Sequence, residues 1–381
     1  MTPQEMTEIC NKRMMAALNM EKPDRIPILF SGHCYYNFID PTMVMADFWR
    51  RPKLVDENLI KAAELPILKE IDSPPMVSLG MPAETKHQSF AAKWFAKMKV
   101  PGRELPENAL WQISEQGPMT EEDYDTIINK GWNYLKQELL KRIGFDPDVL
   151  PKSDMDYAKE LQVKVAALGK QNIGRAGGML PFPPFEVLSG ARKLPKFFRD
   201  LYRIPDRVRA ALDVVEDECV EESAKLIDAI PGAYGFIGGT RAGCDFISSK
   251  VFEKFYFSYY RKLVPMMHKK NVKAWLHMDG NWELFLHYFT EFPKASCVWD
   301  PDHITDIRKI KEILGDKMCI TGNVPPALTS VGTPEDCYNY ARDLVELFKD
   351  DGGFIMNSGC SVPPNAKREN VEAVVLATLG K

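Results

Sequence analysis

The chain has 381 residues and carries 49 lysine and arginine residues against 53 aspartate and glutamate residues, a formal net charge of −4. Nucleic acid and anionic membranes bind basic faces, so this near-neutral balance argues against either as the main partner. No apolar run reaches the roughly 18 residues of a membrane span, and the first residues lack a signal-peptide pattern, so we expect a cytoplasmic protein. The eight cysteines form no CxxC pair, and most should be reduced and buried.

The N-terminal half predicts helices around the start of a parallel sheet. A helix over 4–20 precedes the first predicted strand at 25–30, and the segment 47–161 has a largely helical pattern with proline-rich breaks. The apolar run at 163–168 predicts a return to strand. We interpret 47–161 as a helical insertion within one domain that spans 1–381.

The C-terminal half alternates between short apolar runs and helical patterns. The predicted strands lie at 233–238, 272–278, 296–299, 317–321 and 354–357. The predicted helices lie at 249–268, 282–290, 305–314, 333–349 and 368–379. The helix at 333–349 begins with an N-cap threonine, a proline and acidic residues. This alternation indicates a parallel sheet, and its regularity favours an α/β fold of the (β/α)8 TIM-barrel type over a doubly wound sheet.

The polar side chains best suited to catalysis or metal binding follow two of these strands. His277 and Asp279 are two residues apart, so an extended chain directs both side chains to the same side. Cys360 follows the last predicted strand, and barrel active sites collect at the carboxyl ends of the strands. A His, an Asp and a Cys at one mouth would form a three-ligand site with an open position, which suits catalytic zinc. The alternative is a structural His–Asp pair with Cys360 as a small buried residue.

Several segments, taken in order, resemble the uroporphyrinogen decarboxylase superfamily and, within it, the cobalamin-dependent methyltransferases. The order and spacing of these segments, taken together, are specific to this superfamily, and the resemblance covers most of the chain. The segments are 13–18 with 21–27 (RMMAAL, EKPDRIP), 177–182 (GGMLPF), 277–280 (HMDG), 322–324 (GNV) and 353–370 (GFIMNSGCSVPPNAKREN). The resemblance implies a (β/α)8 barrel, and within the superfamily the chain resembles the methyltransferase I component of anaerobic O-demethylases.

The resemblance also implies site residues and partners. His277 and Cys360 match two zinc ligands of those methyltransferases, whereas Asp279 stands where they carry a cysteine. A carboxylate in place of a thiolate makes a harder, more Lewis-acidic site that suits an oxygen ligand. The segment 31–36 lacks the arginine cluster of the decarboxylases, which argues against porphyrinogen decarboxylation. The chain also lacks an Asp-x-His-x-x-Gly corrinoid signature, so cobalamin should arrive on a separate corrinoid protein.

Further residues at strand ends are candidates for substrate contacts. The aromatic candidates would stack on a methoxyarene, although packing in the core is the alternative for each of them. The polar candidates would touch substrate from the ends of their strands. The full set is His33, Tyr35, Tyr36, Trp275, Asn323 and Asn357.

These observations predict a methyltransferase that moves a methyl group from a small donor to cob(I)alamin on the partner protein. The favoured donor is an aromatic methyl ether, with His277 and Asp279 at the reaction centre and the leaving oxygen activated by zinc or an acid. Two alternatives stay open: methyl transfer from the corrinoid protein to a thiol such as coenzyme M, and a non-catalytic barrel that binds the corrinoid protein. The oligomeric state is also open, with a homodimer among the options.

Overall fold

A parallel sheet of five strands forms the frame of the C-terminal half in the computed structural model. The structure describes residues 1–30, 35–170, 173–178 and 180–381. Within these residues the strands are β1 (Ala96–Lys99), β2 (Gln112–Glu115), β3 (Tyr234–Gly239), β4 (Lys273–Met278), β5 (Cys297–Pro301), β6 (Cys319–Val324) and β7 (Phe354–Ser358). Strands β3 to β7 pair in chain order, each parallel to the next, and β1 pairs with β2 in a separate antiparallel hairpin.

Helices connect and cover these strands. In the N-terminal half they are α1 (Pro3–Leu18), α2 (Asp47–Arg50), α3 (Pro52–Ala63), α4 (Ala83–Ala92), α5 (Asp123–Lys130), α6 (Trp132–Arg142) and α7 (Met155–Ala167). The second group is α8 (Pro184–Arg192), α9 (Leu194–Arg203), α10 (Pro205–Ala229), α11 (Ser249–Phe252), α12 (Ser258–Lys269), α13 (Ile307–Leu314), α14 (Pro326–Val331), α15 (Pro334–Phe348) and α16 (Arg368–Leu379). None of the helices in the described residues is long and apolar enough to cross a membrane.

The five predicted strands of the C-terminal half are confirmed, with their ends displaced by at most three residues. Strands β5, β6 and β7 are buried along their whole length, as strands covered on both faces should be. The predicted start of α15 is also confirmed, because the Thr333 side chain accepts a hydrogen bond from the Asp336 N–H in a capping box. The segment predicted as a helix at 282–290 forms a 3-10 helix at Glu283–Glu291.

Three further segments extend the sheet at both sides in the order of a (β/α)8 barrel. Ile28 forms a parallel bridge to Met356 of β7, and Arg175 forms one to Tyr234 of β3. The Asp72 N–H donates to the Ile28 carbonyl at 2.8 Å, which places the 72–77 segment beyond the first predicted strand. The fold is therefore α/β with a parallel sheet, as the sequence predicts, and its eight strand segments follow one another in barrel order.

The ladder is open between the segments 72–77 and 173–175. No backbone hydrogen bond joins these two segments among the described residues. Pro74 and Pro75 lie in the first of them, and proline has no N–H to donate to a neighbouring strand. The wall of the barrel therefore has a slit at this position, lined by Pro74, Pro75, Ile173 and Arg175.

The interior of the sheet is closed at its amino end by α1. Met14, Ala17 and Leu18 of α1 pack against an interior cluster that contains Trp275, Val298, Cys319 and Ile355. Arg13 anchors the helix, because its guanidinium pairs with Asp24 at 2.6 Å and with the buried carboxylate of Asp72. Access to the interior is thus left to the carboxyl end and the slit.

The strand predicted at 163–168 is wrong. These residues form the end of α7 and its C-cap, after an N-cap at Asp154 whose side chain accepts from the Tyr157 N–H. Val163 is 71% exposed, so the apolar run faces solvent over part of its length and is not a buried strand. Good helix formers and a strong N-cap outweighed the local apolar pattern.

Glu186 ties α8 to the loop after β3. Its side chain is fully buried, and Oε1 accepts hydrogen bonds from the Thr240 N–H and the Arg241 N–H, both at 2.9 Å. Burial raises the pKa of Glu186 to about 7, although the two backbone donors favour the ionised form. The folded protein therefore holds this proton at pH values where the unfolded chain has released it.

Replacing Glu186 with glutamine should remove one pH-dependent component of stability. Unfolded glutamate ionises near 4.5 and folded Glu186 near 7, so its contribution to the free energy of unfolding should fall by roughly 3 kcal/mol as pH rises between these values. Glutamine keeps an oxygen for both backbone donors. Urea unfolding at pH 5 and pH 8 should show a smaller loss in Glu186→Gln, while the exposed Glu335→Gln control keeps the wild-type loss. Equal pH slopes in all three proteins would contradict the assignment.

Candidate metal and active site

The structure brings His277, Asp279 and Cys360 together at the carboxyl end of the sheet. His277 lies in β4, Asp279 directly follows β4, and Cys360 is two residues beyond β7. One potential ligand atom from each, a nitrogen, an oxygen and a sulfur, lies within 4.8 Å of the other two. His277 and Asp279 are half-buried and Cys360 is exposed, so the group faces the mouth of the barrel.

Asp300 fixes the orientation of the His277 ring. The two residues are opposite each other in the β4–β5 register, and Nδ1 of His277 lies 2.8 Å from Oδ2 of Asp300. A carboxylate at this distance favours the tautomer with the proton on Nδ1. Nε2 then faces the mouth, 3.4 Å from Oδ1 of Asp279. This carboxylate–histidine arrangement is the one that orients histidine ligands in metal sites.

Four side chains hydrogen-bond to the buried Asp300 carboxylate. Besides His277, the Trp275 Nε1–H donates to Oδ2 at 2.8 Å, and the Thr321 hydroxyl and the Asn357 amide donate to Oδ1, the latter at 3.4 Å. Burial alone would raise the pKa of Asp300, but the charge of His277 and these donors hold it below its usual range. The sequence analysis missed Asp300, although its place at the end of the neighbouring strand was a usable signal.

The electrostatics of the mouth favour a cation. Burial opposes the charge on His277, but the carboxylate of Asp300 outweighs it and raises the pKa of His277 well above its usual value. Burial raises the pKa of Asp279, and the charges of Asp302 and Asp300 add to this effect against that of His277. Two carboxylates thus lie against one imidazole, the charge of Asp302 acts on one of them, and a bound cation would relieve the repulsion between the three carboxylates.

The turn after β4 holds Asp279 in place. Gly280 has a φ of +92°, a backbone conformation that favours glycine. Its N–H donates to Oδ2 of Asp302 at 2.7 Å, and the indole N–H of Trp282 donates to the Asp279 carbonyl at 2.9 Å. The position of the Asp279 side chain is therefore set by the turn rather than by a long flexible loop.

Two predicted substrate residues, Trp275 and Asn357, line a cavity of about 800 Å³ that reaches Asp300. The Asn357 Oδ1 atom is buried and has no hydrogen-bond partner among the described residues. Phe236, which the sequence analysis did not single out, lines the same cavity and stacks on His277 with ring centres 5.6 Å apart. The cavity therefore combines aromatic walls with an amide oxygen available to a ligand.

The other predicted substrate residues lie elsewhere. Tyr35 donates its hydroxyl proton to the Phe30 carbonyl at 2.6 Å, and the hydroxyl of Tyr36 lies 3.3 Å from the sulfur of Met45 in the core. Asn323 is buried and donates to the Asp302 carbonyl at 3.3 Å, which supports the loop behind Asp279. His33 lies outside the described residues.

A comparison with known protein families identifies the family to which the chain belongs. The model of the uroporphyrinogen decarboxylase (URO-D) family matches residues 173–378, more than half of the chain, and this range includes β3 to β7 and the site. The chain belongs to the uroporphyrinogen decarboxylase family. The helical segment 47–161 lies outside the matched range.

Individual relatives of this URO-D family member match over different lengths. The uroporphyrinogen decarboxylase of Vesicomyosocius okutanii is 31% identical over 89 residues, which cover 23% of this chain and 26% of that protein. The match to the decarboxylase of Coxiella burnetii covers 20% of this chain and 21% of that protein at 32% identity. The match therefore spans about a quarter of the length of these decarboxylases. Methylcobamide:CoM methyltransferase MtbA of Methanosarcina acetivorans is 21% identical over 234 residues, 61% of this chain and 62% of that protein.

A solved structure matches almost the whole fold. A methyltransferase from Methanosarcina mazei superposes with a TM-score of 0.64 over 97% of this chain and 98% of that chain, at 18% sequence identity. At this identity the likeness establishes the shared fold. It extends through the segment that the URO-D family model leaves unmatched.

Replacing Asp300 with asparagine should lower the pKa of His277. The substitution removes the negative charge that opposes burial, so less of the imidazole should be protonated at neutral pH. An NMR titration of the chelator-treated protein measures this, with the His277 signal assigned by its loss in His277→Gln. Asp316→Asn, at an exposed position before β6, is the matched control. An unchanged His277 titration in a folded Asp300→Asn variant would show that Asp300 does not set the charge of the imidazole.

Proposed function

We propose that this protein is a methyltransferase that moves a methyl group from a small donor to the cobalt of cob(I)alamin on a separate corrinoid protein. The observation that carries the proposal is the convergence of His277, Asp279 and Cys360 at the mouth of the barrel, beside a cavity with aromatic walls. The similarity to MtbA and to the methyltransferase from Methanosarcina mazei supports the same class of reaction.

The donor set fits a zinc ion. Imidazole nitrogen, carboxylate oxygen and thiolate sulfur are the three ligand types of zinc in proteins, and three protein ligands leave a position open for substrate. Asp300 supplies the outer hydrogen bond that such a histidine needs, because it binds Nδ1 and leaves Nε2 for the metal. A zinc ion bound here would supply Lewis-acid stabilisation to the leaving atom of the methyl donor.

The residues of the chain position the donor and exclude water. Trp275 and Phe236 form apolar walls that would hold an aromatic ring. Oδ1 of Asn357, which has no hydrogen-bond partner among the described residues, would accept a hydrogen bond from a hydroxyl substituent on that ring. Without a metal, protonated His277 could present its Nε2 proton to a leaving oxygen as a general acid. Metal content separates these two ways of stabilising the leaving group.

An aromatic methyl ether is the donor that we favour. An ether leaves as an oxygen anion, and a site with Asp279 in place of a thiolate is harder and suits an oxygen ligand. The aromatic lining of the cavity from Tyr234, Phe236 and Trp275 matches an arene in size and polarity.

A second candidate is methyl transfer from the corrinoid protein to a thiol, the reaction that the name of MtbA describes. The observation that favours it is the match to MtbA over 61% of this chain. The presence of a carboxylate at position 279 favours the ether donor instead, since a thiol acceptor is better activated by a softer, sulfur-rich site.

Mixing the protein with a corrinoid protein in the cob(I)alamin state and separate methoxyarenes, methylamines and methylthiols should methylate cobalt with methoxyarenes. The change in cobalt absorbance measures the reaction. The reverse assay uses a methylated corrinoid protein with coenzyme M as acceptor. Transfer only in the reverse assay would favour the thiol candidate, and no transfer in either assay, with retained binding of the corrinoid protein, would favour a non-catalytic barrel.

His277→Ala and Cys360→Ala should each lose bound zinc and reduce methyl transfer by at least about a hundredfold, because two remaining ligands hold the ion poorly. Metal analysis after dialysis and initial rates of cobalt methylation measure the two effects. His287→Ala, which removes an exposed histidine, and Cys337→Ala, which removes a buried thiol of α15, are matched controls. Full transfer by both site variants would contradict the proposal, and loss of transfer without any zinc in the wild type would favour the general acid.

A further inference from the structure

A second cavity, of about 260 Å³, lies between the helices α4, α6, α8 and α10. None of its described lining residues lines the cavity that reaches Asp300. Two of the four helices, α4 and α6, belong to the segment 47–161, which lies outside the range that the URO-D family model matches. The cavity forms where this segment packs against the family domain, so membership of the family does not by itself account for it.

The walls of this helical cavity are largely apolar and aromatic. Phe95 and Trp132 pack edge to face with ring centres 5.8 Å apart, and the ring centre of Phe182 lies 5.0 Å from that of Trp94. An apolar cavity of about 150 Å³ holds a benzene molecule, so the larger volume here can hold an apolar body of about six carbon atoms together with a polar head group. The apolar lining residues are Phe95, Trp132, Leu140, Phe145, Phe182 and Val187.

Two lysines and one glutamate line the same cavity, which leaves one positive charge in excess among the described residues. Lys136 and Glu222 form an ion pair with Nζ and Oε2 3.5 Å apart, and their side chains are 34% and 38% exposed. Nζ of Lys93 lies 5.9 Å from the centre of the Phe182 ring. Burial lowers the pKa of Lys93 to about 8, and the charge of Lys136 adds to this effect against that of Glu222. The carboxylate of the cavity is thus shared between two ammonium groups.

An anion with a single charge would balance the charges of the helical cavity. Burial of an ammonium group is unfavourable, and a bound carboxylate would offset part of that cost. A doubly charged anion such as phosphate would leave a negative charge in excess and would cost more to remove from water. The apolar walls favour a ligand whose remaining atoms are hydrocarbon.

We propose that the helical cavity binds a small carboxylate with an apolar body of about six carbon atoms, whose head group pairs with Lys93. The apolar body contacts the aromatic walls, and the partly exposed pair of Lys136 and Glu222 marks the side on which the cavity meets solvent. No covalent step is involved, and the ligand is a second small molecule rather than the methyl donor.

Phe182 separates this site from the candidate metal site. It lines the helical cavity, and its Cε1 atom lies 3.6 Å from the position that a Cβ atom of Gly238 would occupy. Gly238 is opposite His277 in the register of β3 and β4. The ring of Phe182 is therefore a shared wall between the helical cavity and the end of the barrel. The inference does not depend on the proposed methyl transfer.

Equilibrium dialysis against labelled hexanoate, and separately against its neutral isostere hexanamide, measures binding to the full chain. Hexanoate should bind more tightly than hexanamide by roughly tenfold or more, the usual effect of a hydrogen bond to a charged group. Lys93→Met keeps an apolar side chain without the charge and should lose this preference, whereas Lys93→Arg should keep most of it. Lys250→Met, at an exposed position of α11, is the matched control and should bind as the wild type does.

Ser89→Phe tests where the ligand binds. A phenylalanine at this lining position should fill the cavity and block hexanoate while Lys93 keeps its charge. Absence of hexanoate binding, equal binding of the two compounds to the wild type, or unchanged hexanoate binding in folded Lys93→Met would overturn the inference. Hexanoate binding that survives in folded Ser89→Phe would place the ligand elsewhere and would overturn it as well. If Lys93→Met does not fold, the wild-type ratio and Ser89→Phe decide the matter.

Discussion

The hydrogen bond between Asp300 and His277 is the interaction on which the site depends. Asp300 is a buried carboxylate, and such a group is unfavourable unless donors surround it. Its donors are Trp275 and His277 from β4, Thr321 from β6 and Asn357 from β7, so one carboxylate on β5 connects four consecutive strands. The network fixes the register of these strands at their carboxyl ends and presents one imidazole nitrogen to the mouth. The same hydrogen bonds thus hold the four strands together and orient His277 as a candidate metal ligand.

The cavity separates opposite charges along its length. The mouth holds Asp279 and Asp302 and favours a cation, whereas the slit side carries Arg175, Lys86 and Lys170 and favours an anion. Aromatic side chains lie between these two regions and would hold an apolar body away from water.

Membership of the URO-D family establishes the architecture but does not by itself choose the reaction. A barrel positions side chains at the carboxyl ends of its strands, and different side chains there support different chemistry. The relatives include proteins named as decarboxylases and a protein named as a methyltransferase. The choice between such reactions is made by a few positions, of which His277, Asp279 and Cys360 carry the methyltransferase proposal here.

The sequence by itself determined the parallel α/β architecture, the strands β3 to β7 and the grouping of three ligand types at strand ends, because these follow from local periodicity and chain direction. It misjudged 163–168, where helix propensity and the cap at Asp154 outweighed an apolar run. It also could not separate Trp275, which lines the cavity, from Tyr36, which is packed in the core, since both are aromatic residues near strand ends. Only the tertiary structure decided that Asp300 orients His277 and that no carboxylate of the described residues pairs with Arg175. Those facts depend on strand register and on which charges from distant parts of the chain come together, and the local sequence determines neither.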